Sequence, residues 1–559
     1  MRDTKAIYNE WLSSVTDPGL REQLLSMSGD AIDDSFFSDL AFGTGGLRGV
    51  MAAGTNRMNI YTVAKATAGL ADYICDQLSD CKKVAIGYDT RNNSECFARL
   101  AASILADRGI KVYLWGEPLP TPMLSYAVRA LGCSVGIMLT ASHNPSKYNG
   151  YKVYRSDGCQ ITEEAAALIS ECIGKRSDFG NMPKSSFETL REIGSIELIS
   201  EDIYESFIAE VMANSMLKSS TGTGKGVKIV YSALNGTGRR PVLDVLGRCG
   251  FSAISTVAEQ MMPDGNFPTC PYPNPEIPEA MTLGLKYAKD LDAELLLATD
   301  PDCDRVGVGV RTPTGDYTLL TGNEIGLLLL EFICQRRTES GTMPKNAVMV
   351  KTIVTTDLAE RIATAYGVKT ANVLTGFKYI GEYIGELEAD GRAGDYILGF
   401  EESCGYLTAG YVRDKDGVLA AMLISELAAY YNAKGLTLFE VLAGIYKTYG
   451  YCKNSLRSYA FEGNLGFSKM QSIMKSMRLG IKSFGGLKVE GVSDYKDGLD
   501  GLPPSDVIKF KLEGGSTIVI RPSGTEPKLK AYFSAASDSN EGASALTESM
   551  IESVNDLIK

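Results

Sequence analysis

The sequence predicts an α/β protein of several domains, on three observations. Its 559 residues exceed what one hydrophobic core usually serves. Short apolar runs such as Val135–Leu139 and Leu295–Thr299 read as strands buried on both faces of a parallel sheet, with helical stretches between them. Polar loops follow these runs directly, where open α/β sheets place their chemistry, outside the carboxyl ends of the strands. Only the last hundred or so residues change character. Residues 507–512 and 517–520 alternate with period two, as half-exposed antiparallel strands do. The expectation is three α/β units followed by one α+β unit.

Taken in order, the first segment to about residue 40 is amphipathic, with Ile7, Trp11 and Leu12 at helical spacing. Residues 84–88, 111–115 and 135–139 are the strands of the first unit. Thr162 with Glu163 and Glu164 marks a capped helix start with acid in its first turn. A second unit begins near Asp202, after a polar stretch with Gly180, Pro183, Ser185 and Ser186, and its strands include 228–231 and 295–299. Residues 348–351 and 396–400 are strands of a third. No short-period repeat interrupts the pattern.

Composition narrows the function. A formal net charge of −12 argues against nucleic acid as the main partner, though a cleft on an acidic protein can be locally positive and take an anionic small molecule. No apolar stretch is long enough for a bilayer, so no membrane partner is expected. Met1-Arg2-Asp3-Thr4-Lys5 leads into a helix pattern and not a signal peptide, so the expected location is cytoplasmic. Twelve cysteines without a C-x-x-C pair read as reduced thiols. The single histidine excludes a multi-histidine zinc site.

That histidine sits in the most informative loop, Thr140-Ala141-Ser142-His143-Asn144-Pro145, with Asn149-Gly150-Tyr151-Lys152 beyond it. A Ser-His-Asp triad is a poor fit, because adjacent side chains rarely reach each other in that geometry and no G-x-S-x-G elbow surrounds them. His143 is better suited to holding the loop by hydrogen bonds. The second loop, Asp300-Pro301-Asp302-Cys303-Asp304-Arg305, can converge three carboxylates on one divalent cation or form an acidic solvated turn, and its place directly after a buried run favours the cation; it fails as an EF-hand because Arg305 stands where glycine is required. Glu401-Glu402-Ser403-Cys404-Gly405-Tyr406 could hydrogen-bond a polyol or simply start a helix. Arg413-Asp414-Lys415-Asp416-Gly417 is a source of cationic contacts or a surface turn. Arg521-Pro522-Ser523-Gly524-Thr525-Glu526-Pro527 suits a phosphate cradle, and also a plain turn between strands. Phe42 to Gly49 misses the dinucleotide fingerprint and Ser219 to Gly226 misses the P-loop. In Gly87-Tyr88-Asp89-Thr90-Arg91 the favoured reading is an Asp–Arg pair stabilising a loop.

In order along the chain, FGTGGLRG, TASHNP, D-x-D-x-D-R, E-E-S and R-P-S-G-T-E-P resemble the motifs of the α-D-phosphohexomutase superfamily, the phosphoglucomutase/phosphomannomutase enzymes. The resemblance runs from about Phe42 to the carboxyl terminus. It implies an α/β fold of four domains around a central cleft: three doubly layered α/β domains with mixed sheets, and a C-terminal α+β domain. On this chain the expected domains are 1–201, 202–316, 317–451 and 452–559. Pro301, where many members carry glycine, is a departure.

The resemblance also implies the chemistry. Ser142 matches the family's phosphoserine, and Asp300, Asp302 and Asp304 its Mg2+ ligands, with the phosphoserine oxygen as a further ligand. Lys152 matches a candidate general acid/base; Arg48 and Arg305 resemble arginines near the reacting phosphate. Glu401 and Ser403 match sugar contacts, Thr375, Gly376 and Lys378 a sugar-selecting loop, and Lys415 a cleft lysine. Arg521, Ser523, Gly524 and Thr525 match the distal phosphate clamp. The implied reaction interconverts glucose 1- and 6-phosphates through a bisphosphate, with glucose 1,6-bisphosphate as activator. Phosphomannomutase, phosphopentomutase, bisphosphate synthase and sugar phosphatase are the alternatives, and the implied assembly is a monomer or small homo-oligomer.

Overall fold

In the computed structural model, residues 2–43, 45–78, 82–217, 226–461, 463–523 and 528–558 are described. Gly524 and Thr525, and the glycine-rich stretch at 219–225, lie outside them. The chain divides into two compact units: Met1–Leu319 with Gly381–Ala393 and Gly405–Ala433, and Leu320–Ile380 with Gly394–Cys404 and Lys434–Lys559.

The first unit opens on three short helices, Thr4–Ser14, Pro18–Ser26 and Gly29–Phe36, capped by Asp3, Asp17 and Ser28. Trp11 is their buried anchor, meeting Phe36, Tyr61 and Phe179 edge-on. Next comes a six-stranded mixed sheet in the order Leu47–Val50, Tyr148–Arg155, Val135–Leu139, Lys83–Tyr88, Lys111–Leu114, Ile196–Leu198. The three central strands are parallel, and beyond Lys83 and Lys111 at the starts of two of them they carry no charge, as buried crossover strands require. Tyr148–Arg155 runs antiparallel to both of its neighbours, which sets Arg48 opposite Gly150 and Lys152 opposite Met138. A five-stranded mixed sheet follows, ordered Tyr317–Leu320, Val306–Arg311, Leu295–Thr299, Ile229–Ser232, Ile254–Thr256. The helix Glu163–Gly174 starts at Thr162, whose hydroxyl accepts from the Ala165 N–H.

In the second unit, Lys369–Val373, Val348–Thr352 and Tyr396–Glu401 pair in parallel. The C-terminal sheet has six strands, including Ile508–Leu512, Thr517–Pro522 and Lys528–Ser537, which pair antiparallel in that order. These strands are more buried than their alternation predicts. Val519 and Tyr532, on the face expected to meet water, pack against Ile353, Val354 and Leu374. No helix among the described residues is long and apolar enough to cross a membrane, and the eleven described cysteines are free.

Candidate functional site

In the first unit two loops meet, each at the end of a buried strand. The chain leaves Val135–Leu139 and turns at Ser142, which adopts a left-handed φ of 51°. A non-glycine residue there costs roughly 1–3 kcal/mol, so the surroundings must hold it. They do so through a buried pair. Asp89 accepts from the Thr140 hydroxyl (2.6 Å), from Ser94 Oγ (2.8 Å) and from the Arg91 N–H (2.9 Å). Thr140 Oγ1 in turn accepts from the Ser142 N–H (2.8 Å). The Arg91 guanidinium donates to the carbonyls of Ser142 and Asn144, and to those of Pro145 (2.9 Å) and Tyr148 (3.2 Å). The Asp–Arg pair read from the sequence therefore stabilises the serine loop itself.

Ser142 Oγ donates to Asp300 Oδ2 at 2.8 Å and lies 3.2 Å from His143 Nδ1. Burial first, then the charges of Arg305 and Arg48, push the imidazole well below its usual value, so it is neutral at pH 7. A neutral ring beside the hydroxyl suits the hydrogen-bonding role expected for His143.

The acidic loop is tied down through its backbone. Pro301 O accepts from Thr237 N and Oγ1 (both 2.9 Å), Asp302 O from Thr121 N (2.9 Å), and Cys303 O from Gly417 N (3.1 Å). Gly236 leaves room for this packing, since a Cβ there would lie 2.4 Å from Pro301 Cα. Asp300 Oδ1 accepts from the N–H groups of Asp304 (3.1 Å) and Arg305 (3.0 Å), closing the loop on itself. Asp302 Oδ2 accepts from Thr121 Oγ1 (2.8 Å) and Lys152 Nζ (2.9 Å). Lys415 Nζ stands 3.1 Å from both Asp304 Oδ2 and Asp414 Oδ1. The Arg413–Gly417 segment is thus buried beside the acidic loop and is not a surface turn. Arg305 pairs with Glu276, and Arg48 is exposed on the edge strand.

A metal fits the three carboxylates. One ligand atom each from Asp300, Asp302 and Asp304 lies within 4.8 Å of the others, all buried. Among the described residues Asp302 Oδ1 and Asp304 Oδ1 are buried without a hydrogen-bond partner, which is costly unless something else satisfies them. Burial and the neighbouring charges of Asp304 and Asp302 push Asp300 well above the usual carboxylate range. Burial and Asp302 also raise Asp304, against Lys415 and Lys152. For Asp302 burial opposes ionisation, yet Lys152 holds it far below that range. A hard divalent cation is the complement of this set.

The remaining expected residues lie in the second unit. Glu401-Glu402-Ser403 leaves the strand Tyr396–Glu401 as a turn and not as a helix start. Glu402 Oε2 lies 3.4 Å from Thr352 Oγ1 and 3.3 Å from Thr355 Oγ1. Arg521 Nη2 donates to Tyr532 OH (3.2 Å), and its guanidinium carbon lies 5.7 Å from that ring's centre. Burial, then the charge of Glu402, with a smaller push from Glu401, raise the Tyr532 phenol to about 12 against Arg521. One tyrosine thus senses both the E-E-S turn and the arginine of the R-P-S loop. Ser523 N–H donates to Lys528 O (2.7 Å) at the base of that loop. Thr375 Oγ1 is buried without a hydrogen-bond partner among the described residues, Gly376 has φ 124°, and Lys378 Nζ sits 4.7 Å from the centre of the Tyr379 ring.

Sequence reasoning missed Thr121 and Tyr532, which belong to no motif that it read as functional: Thr121 begins a helix and Tyr532 lies within a strand. Asp414 lies in the Arg413–Gly417 run, which was read only for its cations.

Comparison with known proteins bears on the whole chain. Models of the phosphoglucomutase/phosphomannomutase family match it in four parts: α/β/α domain I at residues 39–179, domain II at 205–315, domain III at 321–449 and the C-terminal domain at 474–548. The chain is similar to phosphoglucomutase of Staphylococcus saprophyticus, 38% identical over 538 residues, covering 94% of this chain and 95% of that one. It shares its fold with the open form of the Paramecium exocytosis-sensitive phosphoprotein parafusin, a phosphoglucomutase, at TM-score 0.69 and 18% identity, covering 93% and 95% of the two chains. The Aspergillus fumigatus N-acetylphosphoglucosamine mutase, solved with GlcNAc-6P and magnesium, aligns at TM-score 0.52 and 14% identity over 97% of this chain and all of that one. With all four domain models matched in sequence order, this chain belongs to the phosphoglucomutase/phosphomannomutase family.

Proposed function

We propose that this chain is a phosphoglucomutase that interconverts glucose 1-phosphate and glucose 6-phosphate, with Ser142 as its phosphoryl carrier. The observation that carries the reading is the hydroxyl of Ser142, presented on a left-handed turn and bonded at 2.8 Å to one of three clustered carboxylates. The 38% identity to a phosphoglucomutase supports the substrate.

In this reading Ser142 rests phosphorylated. The Oγ–P bond breaks as a P–O bond forms to the free sugar hydroxyl, giving glucose 1,6-bisphosphate. The proton leaving that hydroxyl is matched by one returned to Ser142 Oγ. The bisphosphate then reorients, and its other phosphate goes back to Ser142. Such transfers depend on positioning and charge neutralisation more than on covalent help. Asp300, Asp302 and Asp304 would hold Mg2+, which when bound neutralises charge on the phosphoryl oxygens.

Lys152 and Lys415, each paired to the acidic loop, add positive charge there without leaving an ammonium unpaired. Lys152, bonded to Asp302, is the side chain we assign to proton exchange with the sugar hydroxyl. Arg48 and Arg305 are assigned to the reacting phosphate. Arg521 and Ser523, with Gly524 and Thr525, grip the phosphate that is not reacting, so remote binding energy orients the reacting hydroxyl. Glu401, Ser403, Thr375, Gly376 and Lys378 meet the sugar. Exogenous glucose 1,6-bisphosphate would recharge a dephosphorylated Ser142.

The test is Ser142→Ala assayed with glucose 1-phosphate, Mg2+ and a trace of bisphosphate. Turnover is expected to vanish, and activity near that of the unaltered chain would remove Ser142 from the chemistry. A parallel panel of mannose, ribose and N-acetylglucosamine 1-phosphates ranks the sugars, and release of inorganic phosphate during turnover would favour a phosphatase.

A further inference from the structure

We infer that the buried pair Asp89–Arg91 is a positioning device for the carrier serine, acting on both backbone ends of residue 142; this rests on the reading of Ser142 as phosphoryl carrier. The carbonyl of Ser142 is gripped directly by the Arg91 guanidinium. Its N–H is gripped at one remove, through Thr140 Oγ1, which donates to Asp89 Oδ2. Asp89 and Arg91 are themselves bound together by a 3.3 Å ion pair, and the backbone N–H of Arg91 donates to Asp89. Both side chains are fully buried.

The arrangement does more than fill space. A guanidinium taken out of water must have its charge and its donors matched. Here the carbonyls of Ser142, Asn144, Pro145 and Tyr148, all within one short loop, take the Nη donors; Nε lies 3.3 Å from Asp89 Oδ2 in the ion pair, and the Phe267 ring lies 5.0 Å from the guanidinium carbon. Four converging acceptors on one rigid planar cation leave the loop little freedom to relax. Residue 142 is held left-handed, the conformation in which its hydroxyl reaches Asp300. Relaxation to an ordinary backbone conformation would swing Oγ away from the carboxylates. Lysine carries the charge but presents one point donor group in place of a fork, so it cannot hold all four carbonyls in this geometry.

Arg91→Lys, Thr140→Val and Thr140→Ser test the inference. Each full-length protein is first freed of phosphate on Ser142 by excess glucose 1-phosphate, which carries it off as bisphosphate, and desalted; it is then incubated with Mg2+ and radiolabelled glucose 1,6-bisphosphate, and the rate of label transfer to Ser142 is followed beside kcat and KM for glucose 1-phosphate. Arg91→Lys is expected to slow labelling and kcat about 100-fold, the effect of a reacting atom misplaced by about 1 Å, while KM stays within about threefold because ground-state binding is untouched. Thr140→Val loses the single link to the Ser142 N–H and is expected to slow labelling about tenfold; Thr140→Ser, which keeps that hydroxyl, restores it. Labelling at the unaltered rate in Arg91→Lys or Thr140→Val, or a raised KM with unchanged kcat, overturns the inference. If Arg91→Lys does not fold, the Val and Ser variants at 140 decide alone. Absence of label on Ser142 in the unaltered chain removes the carrier reading itself, and the inference with it; that outcome is distinct from normal labelling in the variants.

Discussion

Asp300 shows how a single side chain can be strained until its partner arrives. Its two oxygens are well used, one by backbone N–H groups and the other by Ser142. Its charge is nonetheless disfavoured by burial and by Asp302 and Asp304. Asparagine keeps an acceptor for the two N–H groups and removes the repulsion. Without metal, Asp300→Asn is therefore expected to melt no lower than the unaltered chain. With metal the order reverses: the unaltered chain gains about 2.7 kcal/mol at a hundredfold excess of Mg2+ over its Kd, and the variant gains much less. Melting curves with and without Mg2+ check this, and equal metal-induced shifts would mean that the ion binds elsewhere. The three aspartates were legible as a candidate cation site because carboxylates at alternate positions directly after a buried strand favour that reading over an acidic solvated turn. Arg413 to Gly417 was harder, because a run of charges reads equally as a solvated turn until Asp304 is seen beside Lys415.

At the scale of elements, the strand Tyr148–Arg155 assembles the serine side of the site. It carries Lys152, accepts Arg48 opposite Gly150, and receives the Thr140 N–H at Gly150 O (3.1 Å). Gly150 has no room for a side chain: a Cβ would lie 2.5 Å from Thr140 O and 2.9 Å from Leu47 O, both backbone atoms that cannot swing aside. Gly150→Ala is expected to cost about 1–3 kcal/mol by overpacking, and to lower activity further by parting the strand that carries Arg48 from the one that leads into Ser142. Denaturant midpoints and kcat measured together test this, and an unchanged kcat would show that the register of these strands does not set the site. The parallel strands of this sheet were plain in the sequence, because a strand buried on both faces must be apolar throughout. The antiparallel Tyr148–Arg155 was not. Its residues serve the site as well as the core, so asparagine, glycine and lysine interrupt the periodicity that marks a strand.

Over the whole of the second unit, what escaped the sequence was the covering of the C-terminal sheet. Lys509 alternates with apolar neighbours as a solvent-facing residue would, yet it is buried. Its partner is Asp357, whose oxygens lie 2.9 and 3.0 Å from Lys509 Nζ; Lys351, itself fully buried, holds Asp357 at 2.8 Å and Glu360 at 3.1 Å. Period-two reasoning cannot see a carboxylate supplied from about 150 residues away. This node joins the sheet of Val348–Thr352 to the C-terminal sheet, and Arg521 lies on the strand paired with that of Lys509. Burial works to raise Asp357, but Lys351 and Lys509 hold it below the ordinary carboxylate range. A carboxylate with a depressed folded pKa stabilises the fold at every pH above its unfolded value of about 3.9, and that contribution fades as pH falls through the folded value. Asp357→Asn leaves two buried ammonium groups short of a partner and is expected to cost about 3–5 kcal/mol at pH 7. It should also flatten the acid limb, so that melting temperature falls less steeply below about pH 4 than in the unaltered chain. Melts recorded from pH 7 down to about 2.5 test both effects. Parallel acid limbs would show that Asp357 carries no pH-linked stability, and that the two sheets are held by the apolar contacts of Ile353, Val354, Val519 and Tyr532 alone.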